Sequence, residues 1–230
     1  MGNLAIIPAR GGSKRIPGKN IKDFLGKPIL AYSIETALES KLFDEVMVST
    51  DDAIIAQIAQ QYGAQIPFMR SPENSDDFAG TMAVINEVIE AYKQLGKSFD
   101  YVCCIYPTAP LVELRKLEEG YQLIQTDRFD TVFPIVAFSY PIWRGLKLNE
   151  SAAAEMVWKE NANARSQDLE SIYHDAGQWY WINQKNELHS ILESSMGTVI
   201  LTEMEVQDID NEIDWQMAEL KYKLIYANKK

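Results

Sequence analysis

The sequence has few of the residues that build nucleophilic, redox or histidine-rich metal sites. Its 230 residues include two cysteines and two histidines. Cys103 and Cys104 are adjacent in an apolar run, and successive side chains of a strand point to opposite faces. We therefore expect two buried, reduced thiols and no disulfide between them. No Ser-His-Asp triad and no metal-ligand spacing of histidines is present, which argues against hydrolase and zinc chemistry.

Long apolar runs and an excess of positive charge are also missing. No apolar stretch has the length needed to span a bilayer, and the first predicted strand begins too early to leave room for a signal peptide. These features predict a cytoplasmic protein. The chain carries 22 Lys and Arg against 33 Asp and Glu, a net charge of −11. An acidic chain of this kind argues against nucleic acid or an anionic membrane as a partner.

The opening segment departs from this charge balance. The string IIPARGGSKRIPGKN at residues 6–20 places three glycines, two of them adjacent, and four cations directly after an apolar run. Glycines allow backbone N–H groups to approach a ligand closely, and Arg and Lys supply the charge that a polyphosphate needs. The spacing is wrong for a P-loop, because five residues separate Gly12 from Gly18 and Asn20 follows Lys19. The dinucleotide fingerprint is absent as well. The segment therefore predicts a third kind of phosphate-binding loop.

Apolar runs alternate with helical patterns along most of the chain, which predicts an α/β fold in one domain, residues 1–230. We expect a mostly parallel mixed sheet with helices on both faces. Residues 139–182 are rich in Trp and Tyr and interrupt this alternation, so we interpret them as a β-rich excursion that forms a lid or a dimerisation arm. The expected strands are 4–8, 45–49, 65–68, 101–106, 131–137 and 198–201, and the expected helices are 28–38, 53–62, 81–95, 114–124, 184–192 and 213–226.

The opening string closely resembles the signature of sugar cytidylyltransferases, especially the CMP-nonulosonate synthetases. Shorter strings occur in the family's order: STD at 49–51, YPTAP at 106–110 and DID at 208–210. The resemblance implies a Rossmann-like nucleotide-diphospho-sugar transferase fold, a homodimer, and CTP and a nonulosonic acid as substrates. It also implies that Arg10, Lys14 and Lys19 hold the triphosphate, while Asn20 contacts the cytosine or ribose end together with the backbone of Ala9, Gly11 and Gly12.

The same resemblance gives a second nucleotide-binding segment, residues 70–81. Arg70 and Thr81 match family positions that contact the nucleotide, although Ser71 precedes Pro72 where the family has Arg-Pro. From the residues alone, Thr81 is a good N-cap for the following helix.

Asp208 and Asp210 are separated by one residue in an extended segment. A period of two places both carboxylates on one side, with Ile209 facing inward. From the residues alone this is an acidic turn before the last helix, with Asp210 or Asn211 as its cap. The resemblance implies instead that the two carboxylates hold a catalytic Mg²⁺, which is compatible with that ion's preference for carboxylate and phosphate oxygens.

The sugar-binding side is expected from two further segments. Tyr106 follows a strand and stands at a position where sialic acid synthetases usually have Gln. In the second segment, Arg165 is a natural partner for a sugar carboxylate, because its planar guanidinium can bind that anion through two hydrogen bonds. His174 could act as a general base, donate a hydrogen bond to the sugar, or simply pack. The resemblance implies a sugar-binding set that consists of Tyr106, Arg165, Gln167, Tyr173, His174, Asp175 and Gln178.

The strings CCIYPTAP and YHDAGQWYW resemble the branch of the family that uses pseudaminic acid. The resemblance thus implies formation of a CMP-sugar and pyrophosphate for bacterial surface glycans or flagellin. Two alternatives remain open. The acceptor could be sialic or legionaminic acid, with Kdo argued against by the opening string. The chain could also be a non-catalytic subunit that binds nucleotide sugars.

Overall fold

Buried apolar runs form the strands of a central sheet in the computed structural model, which describes residues 2–76, 79–186, 188 and 190–226. The strands in chain order are β1 (Asn3–Pro8), β2 (Asp23–Phe24), β3 (Lys27–Pro28), β4 (Glu45–Ser49), β5 (Tyr101–Ile105), β6 (Thr131–Ala137), β7 (Leu146–Leu148), β8 (Ala154–Met156), β9 (Tyr173–Asp175), β10 (Trp179–Asn183) and β11 (Met196–Leu201). The α-helices are α1 (Ile29–Ser40), α2 (Ala53–Gln61), α3 (Thr81–Gln94), α4 (Leu114–Ile124) and α5 (Glu212–Tyr226).

The central sheet has seven strands in the order β11-β6-β10-β5-β1-β4, with β9 also paired to β6. Strand β1 runs parallel to β4 and β5, and β11 runs parallel to β6. Strands β9 and β10 are antiparallel to their neighbours. The predicted mostly parallel mixed sheet is confirmed.

Helices cover both faces of this sheet, as predicted. Helices α1, α2 and α4 pack on the face that contains Cys103, whereas α3 packs on the face that contains Cys104. The two thiols are free and fully buried. Burial raises the pKa of both, to about 12 for Cys104, so neither is a nucleophile at neutral pH.

A third apolar cluster ties the opening segment to the end of the chain. Ile16 from the opening segment, Phe24 from β2 and Ile209 are almost fully buried together with Trp215 of α5. The ring of Phe24 makes an edge contact with Trp215 at 5.6 Å between centroids. Segments that are about 190 residues apart in sequence are therefore fixed against one another.

Strand order places a topological switch point at β1. The chain leaves β1 for β4 on one side and then crosses to β5 on the other. Ligands of open α/β sheets bind at the carboxyl ends of strands on either side of such a point. The segments that follow β1 and β5 begin at Ala9 and Tyr106.

Two predicted elements are wrong. Residues 65–68 do not form a strand; Gln65 makes only an isolated bridge with Met47, because Pro67 has no N–H to continue the ladder. The described residues of 184–192 do not form a helix. The side chain of Asn183 accepts a hydrogen bond from the N–H of Lys185, which turns the chain instead. His189 lies outside the described residues.

The excursion is shorter than predicted. Residues 139–172 leave the sheet and contain the hairpin of β7 and β8, but residues 173–182 include β9 and most of β10, which belong to the central sheet. Pro134 lies between the residues of β6 that pair with β10 and those that pair with β9, and it has no N–H to donate. No helix in the described part of the chain is long and apolar enough to cross a membrane.

Candidate functional site

The opening loop, residues 9–20, is pinned at both ends by backbone and side-chain hydrogen bonds. The N–H of Ala9 donates to the carbonyl of Ser49 at 2.9 Å. The N–H of Gly11 donates to Asp51 Oδ1 at 2.9 Å, and Asn20 Nδ2 donates to the carbonyl of Arg10 at 2.9 Å. The loop is therefore shaped by the strand-end segment that follows β4 as well as by its own asparagine. Asn20 is buried by this role, and its side chain faces the loop backbone.

Glycine is required at two positions of this loop for different reasons. A Cβ at Gly11 would lie 2.8 Å from Asp52 Oδ2, a distance that real Cβ contacts do not show. Gly18 adopts a φ of +62°, in the left-handed region that favours glycine. A Cβ at Gly12 would meet nothing within 4 Å, so this glycine leaves open space beside the loop.

Lys19 joins the loop to the carboxylate segment. Its Nζ donates to the carbonyl of Ile209 at 2.6 Å, between the two predicted metal ligands Asp208 and Asp210. Burial lowers the pKa of Lys19, and the nearby carboxylates of Asp210 and Asp208 partly oppose that shift. Thus the structure brings the predicted cation and both predicted carboxylates together.

The carboxylate segment has the predicted orientation. Ile209 is 1% exposed and faces the third apolar cluster, while Asp208 is exposed and Asp210 half-buried. Arg15, which the sequence analysis did not assign to the site, forms an ion pair with Asp210. The side chain of Asn211 accepts hydrogen bonds from the N–H groups of Ile213 and Asp214, so Asn211 also caps α5. This segment therefore caps α5 and also lies beside the loop cations Lys19 and Arg15.

A cavity of about 490 Å³ lies between the opening loop, the residues before α3 and the segment after β5. Most of the predicted nucleotide-binding side chains line it. The lining includes Arg10, Lys14, Lys19, Asn20, Arg70 and Thr81. Ala9, Gly11 and Gly12 do not line the cavity, and their backbone lies next to these side chains. This first cavity has the cationic lining that a triphosphate requires.

Arg70 reaches the first cavity from a buried position. It is 7% exposed, and its Nε donates to Ser49 Oγ at 3.0 Å, with a further bond from its guanidinium to the Ser49 carbonyl. Burial lowers its pKa, opposed mainly by the carboxylate of Asp51. Arg70 thus braces the end of β4 as well as contributing charge. Arg10 is steered by a bond from its Nη1 to the carbonyl of Asp76 at 2.8 Å.

Thr81 is the first residue of α3 and not its N-cap, which is Gly80. The prediction that Thr81 caps the helix is therefore wrong. Its Oγ1 lies 3.1 Å from the phenol oxygen of Tyr106 instead. The capping position needs an extended backbone, and Gly80 supplies it with a φ of −71° and ψ of 158°.

A second cavity of about 530 Å³ adjoins the first at Tyr106, which lines both. His174, Asp175 and Asp208 also line the second cavity. Nδ1 of His174 lies 2.9 Å from the carbonyl of Asp175, and the His174 ring packs on Phe138 at 4.8 Å between centroids. Three of the predicted sugar-binding residues are therefore gathered here: Tyr106, His174 and Asp175.

The remaining predicted sugar-binding residues do not line either cavity within this chain. Arg165 is paired with Asp168 at 2.7 Å on the exposed excursion, and Gln167 is exposed beside it. Tyr173 is 39% exposed, and Gln178 is buried with its Nε2 donating to the carbonyl of Glu205 at 2.6 Å. Gln178 thus ties the start of β10 to the segment after β11 through this hydrogen bond.

Sequence reasoning missed several residues that shape the site. Asp51 belongs to the string STD and Arg15 to the opening string, but the contacts of both residues depend on which loops meet in the folded chain. Tyr180 and Glu203 line the second cavity from β10 and from the segment after β11. Only strand pairing and register place them there, and neither can be read from local pattern.

Comparisons with known proteins agree with this geometry. The cytidylyltransferase family model matches residues 4–220. The chain is 43% identical over 226 residues to the pseudaminic acid cytidylyltransferase of Campylobacter jejuni, covering 97% of both chains. It is 30% identical over 226 residues to the CMP-N,N'-diacetyllegionaminic acid synthase of Legionella pneumophila, covering 94% of each.

A solved structure supports the fold. The CMP:2-keto-3-deoxy-manno-octonic acid synthetase, solved in complex with CTP, superposes with a TM-score of 0.70 at 19% identity, covering 98% of this chain and all of that one. The likeness confirms the Rossmann-like nucleotidyltransferase fold that the opening string implied. From the family match and the extent of these identities, we conclude that this chain belongs to the cytidylyltransferases and, within them, to the CMP-nonulosonate synthetases.

Proposed function

We propose that this enzyme transfers the cytidylyl group of CTP to pseudaminic acid, giving CMP-pseudaminic acid and pyrophosphate. The observation that carries the proposal is the pair of adjoining cavities, which share Tyr106 as a wall. One has the cations for a triphosphate, and the other has polar groups for a sugar. The choice of pseudaminic acid is supported by 43% identity, over 97% of both chains, to a relative named for that activity.

CTP occupies the first cavity in this proposal. Arg10, Lys14 and Lys19 contact the triphosphate, and Arg70 and Thr81 contact the nucleotide from the opposite wall. Gly11 and Gly12 let the loop backbone approach the phosphates, as phosphate-binding loops require. Asn20 holds the loop through the Arg10 carbonyl, which adds a loop-shaping role to its proposed contact with the cytosine or ribose end.

We propose that Asp208 and Asp210 hold a Mg²⁺ ion. The two carboxylates are compatible with this ion, which is commonly bound by one or two carboxylates together with substrate phosphate oxygens and water. Within the described residues no group of three or more His, Cys, Asp or Glu could hold a metal. Phosphate oxygens of the substrate and water would supply the remaining ligands of an ion held by this pair. When bound, the ion would stabilise negative charge that develops on the phosphates.

In the reaction, the anomeric hydroxyl oxygen of the sugar forms a bond to the α-phosphorus of CTP. The bond between the α-phosphorus and the bridging oxygen breaks in line, pyrophosphate leaves, and the hydroxyl proton is released to solvent. Arg10, Lys14 and Lys19 neutralise the charge that accumulates on pyrophosphate. The site works by positioning two substrates across Tyr106, without a covalent enzyme intermediate.

We further propose that the enzyme is a homodimer paired through the excursion, residues 139–172. Leu146 and Leu148 of β7 are 65% and 72% exposed, and the nearby rings of Trp143 and Trp158 pack edge to face at 5.4 Å. Pairing would bury this apolar surface. The reaction consumes CTP, and we propose the cytoplasm as its location.

Sialic acid and legionaminic acid are the second candidates for the acceptor, because relatives named for those sugars are 30–34% identical to this chain. The test is pyrophosphate release from CTP with pseudaminic, legionaminic and sialic acids, compared as kcat/KM. We expect pseudaminic acid to give the highest value. A higher value with another sugar would overturn the assignment of the acceptor, and no release with any sugar would favour a non-catalytic binding subunit.

A further inference from the structure

The second cavity contains a hydrogen-bonded carboxylate that is held from two sides. Tyr180 of β10 is 3% exposed, and its O–H donates to Asp175 Oδ2 at 2.6 Å. The N–H of Gly177 donates to the other oxygen, Asp175 Oδ1, at 2.8 Å. Each carboxylate oxygen can accept more than one hydrogen bond, so Asp175 keeps acceptor capacity toward the cavity that it lines.

Tyr180 is itself fixed by aromatic packing. Its ring lies 5.4 Å from the ring of Tyr106 and 5.8 Å from that of Phe133. The phenol oxygen of Tyr106 in turn lies 3.1 Å from Oγ1 of Thr81. Burial raises the pKa of both tyrosines, so both phenols remain neutral at physiological pH. A neutral Tyr180 keeps the proton that it donates to Asp175.

We propose that Tyr180 is a positioning residue for the sugar, which holds Asp175 as a hydrogen-bond acceptor for N–H or O–H groups of the nonulosonic acid. This inference rests on the proposed function, in that the second cavity is taken as the sugar site. It adds a residue that the sequence analysis did not assign, and it gives Asp175 a defined partner chemistry.

The charges of the second cavity specify that chemistry. Its described lining includes the carboxylates of Asp175, Glu203 and Asp208 and has no Lys or Arg. A sugar carboxylate would be repelled by Asp175, whereas the acylated amines and hydroxyls of a nonulosonic acid can donate to it. Asp175 therefore favours the binding orientation in which the acid group of the sugar points away from it.

Tyr180→Phe tests this role because it removes one oxygen and keeps the ring packing. Without the Tyr180 donor, the Asp175 carboxylate loses one of its two fixed hydrogen bonds and can rotate. We expect KM for the nonulosonic acid to rise roughly tenfold, the effect of losing one hydrogen bond to a charged group, with KM for CTP unchanged. The acceptor used is whichever nonulosonic acid the wild-type enzyme turns over, so a wrong choice of sugar in the proposed function leaves this test intact.

Tyr92→Phe is the matched control. Tyr92 is also fully buried, donates to a carboxylate oxygen of Glu45 at 2.5 Å, and lies in the same apolar cluster away from both cavities. We expect it to alter thermal stability but neither KM. An equal rise of both KM values in Tyr180→Phe, or a rise in sugar KM with Tyr92→Phe, would assign the effect to general packing and overturn the proposal.

A double-mutant comparison isolates the pair. If Tyr180 acts through Asp175, adding Tyr180→Phe to Asp175→Asn leaves the sugar KM within about twofold of that for Asp175→Asn alone. Fully multiplicative effects of the two substitutions would contradict the coupling, as would an unchanged sugar KM in Tyr180→Phe.

Discussion

The two adjacent glycines of the opening loop should respond very differently to the same added methyl group. In Gly11→Ala the new Cβ would lie 2.8 Å from Oδ2 and 3.0 Å from Cβ of Asp52. Asp52 cannot simply swing away, because its Oδ1 caps α2 by accepting from the N–H groups of Ile54 and Ile55 at 2.7 and 3.1 Å. In Gly12→Ala the new Cβ meets nothing within 4 Å.

The loss of stability in Gly11→Ala depends on how far the new methyl group displaces Asp52. Overpacking of this kind costs about 1–3 kcal/mol, and loss of a helix N-cap costs about 0.5–2 kcal/mol. For a chain of this size, each kcal/mol lowers the melting temperature by about 2–4 °C. The overpacking alone should therefore lower the melting temperature of Gly11→Ala by roughly 2–12 °C, and loss of the α2 cap would lower it further. Gly12→Ala should stay within about 0.5 kcal/mol of the wild type, as an unhindered surface substitution does.

Thermal unfolding of the ligand-free proteins measures the first effect, and calorimetric titration with CTP measures the second. Because Gly12 has open space where we propose the triphosphate to lie, Gly12→Ala should weaken CTP binding roughly tenfold while it keeps its stability. The stability loss should fall on Gly11→Ala alone. Equal melting temperatures for the two variants would refute the account of how Asp52 shapes this loop.

Three other substitutions or treatments have defined outcomes. Lys19→Gln removes a cation that we propose contacts the triphosphate and that bonds the Ile209 carbonyl, so KM for CTP should rise roughly tenfold or more in steady-state assays. Lys22→Gln breaks only an exposed pair with Glu212 and should leave KM for CTP unchanged. Asp210→Asn should abolish turnover while CTP binding persists in titrations, with Glu212→Gln as the active neighbour; normal turnover of Asp210→Asn would remove the metal assignment. Because burial raises the pKa of Cys103 and Cys104, both thiols should resist a thiol reagent in the native protein at neutral pH and react in denaturant, and rapid native labelling would contradict their burial.

Local pattern was sufficient for the parts of the fold in which burial is continuous. Strands β1, β4 and β5 are apolar runs buried on both faces, and α3 follows its expected limits to within one residue. The errors lie where one residue changes the backbone options. Pro67 prevents a strand after Gln65, and the side chain of Asn183 turns the chain where periodicity indicated a helix.

The site was predictable to the extent that its residues sit in one recognisable string. Arg10, Lys14 and Lys19 fall in the opening loop, and the structure gathers them around one cavity. The approach of Lys19 to the Asp208–Asp210 segment could not be read from spacing, because it depends on the burial of Ile16 and Ile209 in one cluster. Tyr180 was missed for a similar reason, since its contact with Asp175 arises only after Gly177 turns the chain between β9 and β10.

The most direct test of the central claim is a crystal structure of Asp210→Asn with CTP and pseudaminic acid bound together. The account predicts the triphosphate against Arg10, Lys14 and Lys19 in the first cavity and the sugar beside Asp175 in the second, with Tyr106 between the two substrates. A nucleotide bound away from the opening loop would contradict the account. A sugar bound outside the second cavity, away from Tyr106, would contradict it as well.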